Sequence, residues 1–307
     1  MSLASITLNQ IIIMIIIMFI GYISYKLKII DEAGNKILSN ILLVLITPIV
    51  IFASYQRDFT MELFQGLMIS LVLAVITHVV GIIVAYIVLR GKSNPDIVIE
   101  RFSTIFSNCG FIGIPLAYGI YGSEGVFYIT AYITIFNLIL WTFGVNMMTD
   151  NTSWKSMLKA LVSPTIITII IGIIFFLLQI RIPNTILEAL NSIGSMNTPL
   201  AMLIAGISIG NANLLKLFGN LRTYLVAVLK LLVIPVVLVV LYSRFNISNA
   251  VVATAVLAAA CPTGSTGTLF ALRYDKNAVY ASELFVVTTI LSALSIPFIM
   301  MLLERLI

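Results

Sequence analysis

Two stretches decide the fold: S-N-C-G-F-I-G-I-P-L-A-Y-G at residues 107–119 and A-A-A-C-P-T-G-S-T-G-T-L-F-A at residues 258–271. Each breaks up a long apolar run with glycine and proline. Proline removes a backbone donor, and glycine frees the backbone where helical hydrogen bonds are already lost. In hydrocarbon, irregular backbone survives only where protein buries it or a watered cavity meets it. The two stretches therefore predict two broken helices around one shared cavity.

The composition around these stretches is that of a membrane protein. Of 307 residues, 61% are apolar and 9% are charged, whereas soluble domains carry about 25% charged residues. This excludes a water-soluble globule, a disordered chain and a nucleic-acid-binding domain. The net charge of +5 is spread over short loops and forms no basic stripe. One span needs about 20 apolar residues, so we predict an all-α polytopic membrane protein in the lipid bilayer.

Apolar runs bounded by charges or turn residues predict ten transmembrane helices. None of the runs alternates as a barrel strand does. The N-terminal run lacks the basic region of a signal peptide and is predicted to be retained. The runs lie at about 6–25, 37–55, 62–89, 97–121, 124–148, 160–180, 186–210, 223–243, 248–271 and 278–303.

Basic residues are distributed unevenly between the two sets of loops. Connections after odd-numbered runs hold twelve of the 17 Lys and Arg residues: Lys26, Lys28, Lys36, Arg90, Lys92, Arg101, Lys155, Lys159, Lys216, Arg222, Arg273 and Lys276. The other side, with both termini, holds Arg57, Arg181, Arg244 and Arg305. By the positive-inside rule, we expect a multi-pass protein of the cell membrane with both termini outside the cytoplasm.

The ten runs divide into two halves of five, residues 1–150 and 151–307. An odd number of helices per half inverts the second half relative to the first. Thr47-Pro48 in the second run is echoed by Thr198-Pro199 in the seventh. The fourth and ninth runs, also equivalent, are the most broken, and such a pair is the best sequence pointer to a transporter binding site.

Charge at the two breaks favours an anion. Proline is preferred at the first position of a helix, so Pro115 and Pro262 are expected to begin two half-helices that point to the membrane centre. A charge there costs about 2.5 to 3.5 kcal/mol, and a partly buried helix end returns up to about 2 kcal/mol. Two ends with hydrogen bonds from Asn108, Thr263 and Ser265 should roughly cancel that cost for one carboxylate.

With N-C-G-F-I-G-I-P-L followed by Y-G-I-Y-G, and C-P-T-G-S-T-G-T-L-F-A-L-R-Y, the chain resembles the auxin efflux carrier family, over nearly its whole length. The resemblance implies an elevator-type secondary carrier of organic anions, auxin-like or mono- and dicarboxylates. Helices three to five and eight to ten would form the transport domain, and helices one, two, six and seven a scaffold that makes a homodimer. Thr263 stands where plant members tend to have glutamine, and their long cytoplasmic loop is absent. The candidate substrate-binding residues are Asn108, Cys109, Gly110, Gly113, Pro115, Cys261, Pro262, Thr263, Gly264 and Ser265.

Three further polar residues are candidate coupling groups or charge partners. Lys230, about eight residues into the eighth run, is either a functional intramembrane charge or a residue that snorkels to the cytoplasmic surface. Glu283 is either a proton relay or a headgroup-level acid, and His78 either couples protons or is a satisfied core histidine. Cys109 and Cys261 also fit as small packing residues.

Other classes of function remain open at this point. No H-E-x-x-H motif or paired intramembrane aspartates support an intramembrane enzyme, and no metal or cofactor is expected apart from coupling to Na⁺ or H⁺. A sensor that uses the carrier fold without flux is one alternative. A sodium-coupled carrier like the bile-acid sodium symporters, which also have ten helices and crossing broken helices, is the other.

Overall fold

The fold is helical throughout the part of the chain that the structure, a computed structural model, describes: residues 3–91, 94–149, 163–211 and 220–307. In these residues the one exception is an isolated antiparallel bridge between Ser107 and Thr263. Several sequence predictions fall outside the described residues. They are the basic residues Lys92, Lys155, Lys159 and Lys216 and the boundary between the two halves at 150/151.

Twelve helical elements follow one another in these ranges. In chain order they are α1 Leu3–Lys26, α2 Glu32–Ser54, α3 Met61–Val88, α4 Ile97–Ile105, α5 Cys109–Thr149, α6 Pro164–Leu177, α7 Asn184–Gly194, α8 Asn197–Asn211, α9 Leu221–Tyr242, α10 Asn249–Ala260, α11 Thr266–Arg273 and α12 Ala278–Glu304. Helix α5 bends at Gly122, whose φ of 59° and ψ of −143° lie outside helical geometry.

Seven helical stretches in the described residues are long and apolar enough to cross a membrane, with α7 and α8 counted as one. The predicted fourth and fifth runs share the 41-residue stretch Cys109–Thr149, and the predicted gap between them coincides with the bend at Gly122. The sixth and ninth runs fall on the shorter apolar helices α6 and α10. A helical multi-span protein is confirmed, while the count of ten and the inverted repeat remain predictions.

Five of the twelve helices begin where the sequence offers a capping side chain. Asp31, Thr60, Ser163, Asn220 and Asn277 each accept a hydrogen bond from a backbone N–H in the first turn of the helix that follows. Such caps satisfy donors that the helix itself cannot. Short polar residues between apolar runs therefore set the helix starts.

Helices α1 and α8 pack tightly because glycines let their backbones touch. A Cβ atom on Gly206 would collide with the carbonyl oxygen of Met18, and one on Gly21 would collide with the carbonyl oxygen of Leu203. Such small residues allow close helix packing in membranes. On the other side of α1, apolar side chains such as Ile16 and Phe19 are more than half exposed, as expected for a surface that faces lipid.

The two Thr-Pro motifs of the sequence meet inside the molecule. The Thr47 hydroxyl in α2 donates to the side-chain oxygen of Asn197, the residue before Thr198 at the start of α8, at 3.3 Å. Thr47 and Asn197 are both buried. The first Thr-Pro motif thus contacts the residue that directly precedes the second.

A buried carboxylate ties three helices together at the end of α4 that is predicted to face the cytoplasm. Glu100 is 1% exposed and accepts two hydrogen bonds of 2.6 Å from the Arg222 guanidinium of α9. The Tyr280 hydroxyl of α12 donates to the same carboxylate at 3.2 Å, and the Asn94 amide donates at 3.1 Å. This cluster fixes the position of α4 relative to α9 and α12, and α4 leads directly into the first break.

We expect Glu100→Gln to destabilise the protein by about 1.5 kcal/mol, the low end for charge-assisted hydrogen bonds, because Arg222 stays partly exposed to solvent. The control is Asp58→Asn, since Asp58 pairs with Arg181 at 2.6 Å on the surface, where its side chain is 93% exposed. That change should cost less than about 0.5 kcal/mol. Thermal unfolding in detergent checks both, and equal losses would contradict the role of the cluster.

Candidate functional site

The two breaks predicted from the sequence contact each other directly. Between α4 and α5, and again between α10 and α11, the chain leaves the helix and extends. The Asn108 N–H donates to the Pro262 carbonyl at 2.7 Å, and the Gly264 N–H donates to the Phe106 carbonyl at 3.1 Å. These bonds flank the Ser107–Thr263 bridge. The backbone groups released by each break are thus satisfied by the other, as irregular backbone at membrane depth requires.

We call this contact between residues 106–108 and 262–264 the crossing. The helices that follow the two breaks begin beside it, although not at the prolines. Helix α5 opens with a π-helical turn at Cys109–Gly113, so Pro115 lies one turn inside it. Helix α11 begins at Thr266 after Ser265, and Pro262 belongs to the extended segment. The expectation that both prolines start half-helices is therefore wrong for Pro262 and shifted for Pro115. The helix starts nevertheless lie near the crossing.

Two hydroxyl groups at the crossing have no partner among the described residues. The Oγ1 atoms of Thr263 and Thr266 are both buried without a hydrogen bond there. On the other break, a Cβ atom on Gly110 would meet nothing within 4 Å, so open space adjoins the start of α5. Free hydroxyls next to open space are suited to a ligand that accepts hydrogen bonds. Thr266 was missed by the sequence reasoning, and the T-G-S-T-G run was the signal that pointed to it.

A threonine of α12 accepts a hydrogen bond from the backbone of the crossing. The Thr263 N–H donates to the Thr288 hydroxyl oxygen at 3.2 Å, and that hydroxyl donates to the Leu284 carbonyl at 2.7 Å. No motif in the sequence indicated Thr288, which lies in an apolar run and interacts through a backbone group 25 residues away.

We expect Thr288→Val to cost about 1 to 3 kcal/mol, because the buried Thr263 N–H loses its acceptor. The adjacent Thr289 is the matched control, since its hydroxyl donates only to the Phe285 carbonyl within its own helix and Thr289→Val removes no contact with the crossing. Thermal unfolding should separate the two variants. Equal melting temperatures would show that Thr288 does not hold the break.

Lys230 lies beside the crossing and is 2% exposed. Its π-helical turn in α9 packs against α4, α10 and α12. The ammonium is within electrostatic range of the Cys109 and Cys261 thiols. No ion pair among the described residues involves Lys230. Its burial argues against the alternative that it snorkels to the surface, and a buried basic side chain lies where the sequence predicts an anion.

His78 in α3 belongs to the same buried cluster and is within electrostatic range of Lys230. Its Nδ1 atom lies 2.7 Å from the Ala74 carbonyl, so Nδ1 carries a proton and donates to that carbonyl. Nε2 is buried with no partner among the described residues, and the ring packs at tilted angles against Phe106, Tyr132 and Phe136. His78 is therefore only half satisfied as a core residue.

The other predicted site residues differ in how deeply they are buried. Cys109 and Cys261 are buried free thiols, and a Cβ atom on Gly113 would lie 3.5 Å from the Cys261 sulfur, which shows how tightly the breaks pack. Gly264 is buried, whereas Ser265 is half-buried. Glu283 lies in the second turn of α12, half-buried, and has no ion pair to Lys230.

A cavity of about 90 Å³ lies on the side of the crossing predicted to face outward. Part of its lining is polar, with Ser54 from α2, Asn191 from α7 and Asn197 from α8 facing Ile114 and Tyr118 of α5. It reaches Ile114, next to the π-helical turn, but does not include the crossing itself. It therefore separates α2, α7 and α8 from the helix that begins at the crossing.

Comparison with known proteins gives a consistent result. The sequence profile of the family described as "Membrane transport protein" matches residues 6–153 and 148–300. An uncharacterized transporter of Methanocaldococcus jannaschii is 28% identical over 301 residues, covering 92% of this chain and 95% of the relative. An uncharacterized transporter of Methanothermobacter thermautotrophicus is 26% identical over 295 residues, covering 92% and 94%. With its family match extending over nearly the whole chain, this protein belongs to the membrane transport protein family, the auxin efflux carrier family that its two motifs resemble.

Proposed function

We propose that the protein is a secondary carrier of small organic anions whose carboxylate binds at the crossing of the two breaks. Membership of a transporter family supports carriage of a solute across the membrane. The observation that carries the choice of an anion is Lys230, a basic side chain that is 2% exposed and lies beside the crossing without an ion pair among the described residues. A buried charge needs a partner of opposite sign, and a bound carboxylate supplies one.

The rest of the site fits the same ligand. The N-terminal ends of α5 and α11 begin at the crossing, and helix N-termini favour negative charge. The Thr263 and Thr266 hydroxyls, which have no partner among the described residues, can each donate to a carboxylate oxygen. Hydrogen-bond donors, two helix N-termini and one basic side chain thus lie around the crossing.

An elevator-type movement is the mechanism we propose for this carrier. Helices α3 to α5 and α9 to α12, which bear the crossing and Lys230, would move as a transport domain. Helices α1, α2 and α6 to α8 would form the fixed scaffold and the interface of a homodimer. The close α1–α8 contact and the pairing of α2 with α6 and α7 support this grouping. The cavity between α2, α7, α8 and α5 lies at the proposed boundary.

Counterflow in liposomes tests the proposed function. Purified protein is reconstituted with unlabelled malonate, malate, lactate or indole-3-acetate inside, and uptake of the same labelled anion is followed against protein-free liposomes. We expect exchange of at least one of these anions. Saturable binding without exchange would favour a sensor, and stimulation by sodium would favour a carrier like the bile-acid symporters. If the protein neither binds nor exchanges any of the four anions, the proposal of an organic-anion carrier is refuted.

A further inference from the structure

Lys230 and His78 form a buried basic cluster without a negative partner among the described residues, and this bears on which ion drives transport. Lys230 is the one Lys or Arg side chain found fully buried in the described residues, and the Nε2 atom of His78 beside it is buried without a partner there. The side chains facing Lys230 from other elements are the neutral thiols of Cys109 and Cys261. No negative group of the described chain is therefore bonded to this cation.

The acids on the helices that pack against Lys230 do not supply a counterion. Glu100 of α4 is already bound by Arg222 and Tyr280. Glu283 of α12 makes no ion pair with Lys230. When the site is empty, a protonated Lys230 would therefore be a lone charge in a dry interior, which costs several kcal/mol, and such groups usually give up the proton instead.

From this balance we propose that Lys230 takes up one proton with each anion and releases it with that anion, so that the carrier is a proton–anion symporter. The inference rests on the proposed function and names its coupling ion. On the loading side, a proton from water converts the Lys230 amine to an ammonium as the carboxylate arrives. On the other side, the carboxylate leaves and the ammonium returns its proton to water. The site is uncharged when empty, and one negative charge is balanced when it is loaded.

Accumulation driven by a pH gradient tests the coupling separately from transport itself. Proteoliposomes that show malonate counterflow are given a gradient of about one pH unit, alkaline inside, with sodium absent and the membrane potential clamped at zero. One proton per anion predicts about tenfold malonate accumulation, since a tenfold ratio corresponds to about 1.4 kcal/mol, the value of one pH unit. Counterflow without a gradient reports the carrier activity alone.

Lys230→Arg gives a sharper signature than loss of activity. An arginine side chain does not release its proton in proteins, so the variant should keep a slowed malonate exchange and lose accumulation driven by the pH gradient. Lys36→Arg in α2 is the matched control, because Lys36 is exposed and far in sequence from the crossing. It should accumulate malonate as the wild type does.

The outcomes separate the two claims. Exchange without a response to the pH gradient, or a response to a sodium gradient instead, overturns proton coupling and leaves the anion carrier standing. A Lys230→Arg protein that still accumulates malonate overturns the role of Lys230. If the wild type neither binds nor exchanges malonate, malate, lactate or indole-3-acetate, both claims are refuted.

Discussion

Replacing Lys230 with methionine should weaken anion binding strongly while leaving the fold intact. Methionine has nearly the length of the lysine stem and fits a buried site, so the change removes the charge and little volume. Hydrogen bonds to charged groups contribute about 1.5 to 3 kcal/mol. Because 1.4 kcal/mol is a factor of ten, we expect the apparent affinity for malonate or another transported carboxylate to fall roughly 10- to 150-fold.

The stability of the same variant distinguishes this role from a structural one. Replacing a buried charge by an apolar side chain is often neutral or stabilising. The melting temperature of Lys230→Met should therefore stay level or rise, and the shift that the carboxylate ligand produces in the wild type should disappear. A lower melting temperature with a preserved ligand shift would mean that Lys230 supports the fold rather than the ligand.

A matched control is available in the same helical turn. Leu231 is 2% exposed, and Leu231→Met is a volume-conserving change that usually costs less than about 1.5 kcal/mol. That variant should bind and exchange anions as the wild type does. Loss of binding in both variants would show that the turn tolerates no substitution, and the charge would not be the cause.

Among glycine-to-alanine substitutions in the proposed scaffold, Gly206→Ala should be the most destabilising. The added Cβ atom would overlap the carbonyl oxygen of Met18 in α1, and backbone cannot move aside as a flexible side chain can. Overpacking costs about 1 to 3 kcal/mol and occasionally more, and we expect the upper end or beyond. Helix α1 would have to separate from α8, so expression and thermal stability in detergent should both fall.

The same substitution at Gly81 is the control, because it should not destabilise the protein. Gly81 is buried in the middle of α3, and its added Cβ atom would lie 3.7 Å from the Ile105 Cα atom and 4.0 Å from the Ile234 side chain, in ordinary contact. Alanine is favoured over glycine in a helix interior by up to about 1 kcal/mol. Gly81→Ala should leave the melting temperature unchanged or raise it. Equal destabilisation of both variants would rule out the contact with Met18 as the cause.

Much of the fold could be predicted from residues that act locally. Apolar runs of about 20 residues define membrane helices because hydrocarbon tolerates little else. Glycine and proline in the stretches 107–119 and 258–271 indicated which two helices break, and the structure interrupts them at 106–108, just before the first Gly-Pro run, and at 261–265. Helix starts followed from caps such as Thr60 and Asn277. These features depend on a residue and its near neighbours along the chain.

Other features could not be predicted because they depend on partners far apart in the sequence. Glu100 and Arg222 are separated by 122 residues, and their ion pair left no pattern in either segment. Thr288 holds the Thr263 N–H across two helices. Pro262 could equally have begun a helix, and only its carbonyl's bond to Asn108 shows that it lies in the extended segment.

The amino-acid sequence by itself determined that this chain enters a membrane as helices and that two of them break, since both follow from hydrophobicity and backbone chemistry within single segments. The tertiary structure alone decided that the breaks meet and that Lys230 is buried beside them. Burial and charge pairing depend on which helices become neighbours, and that choice is made by packing across the whole molecule.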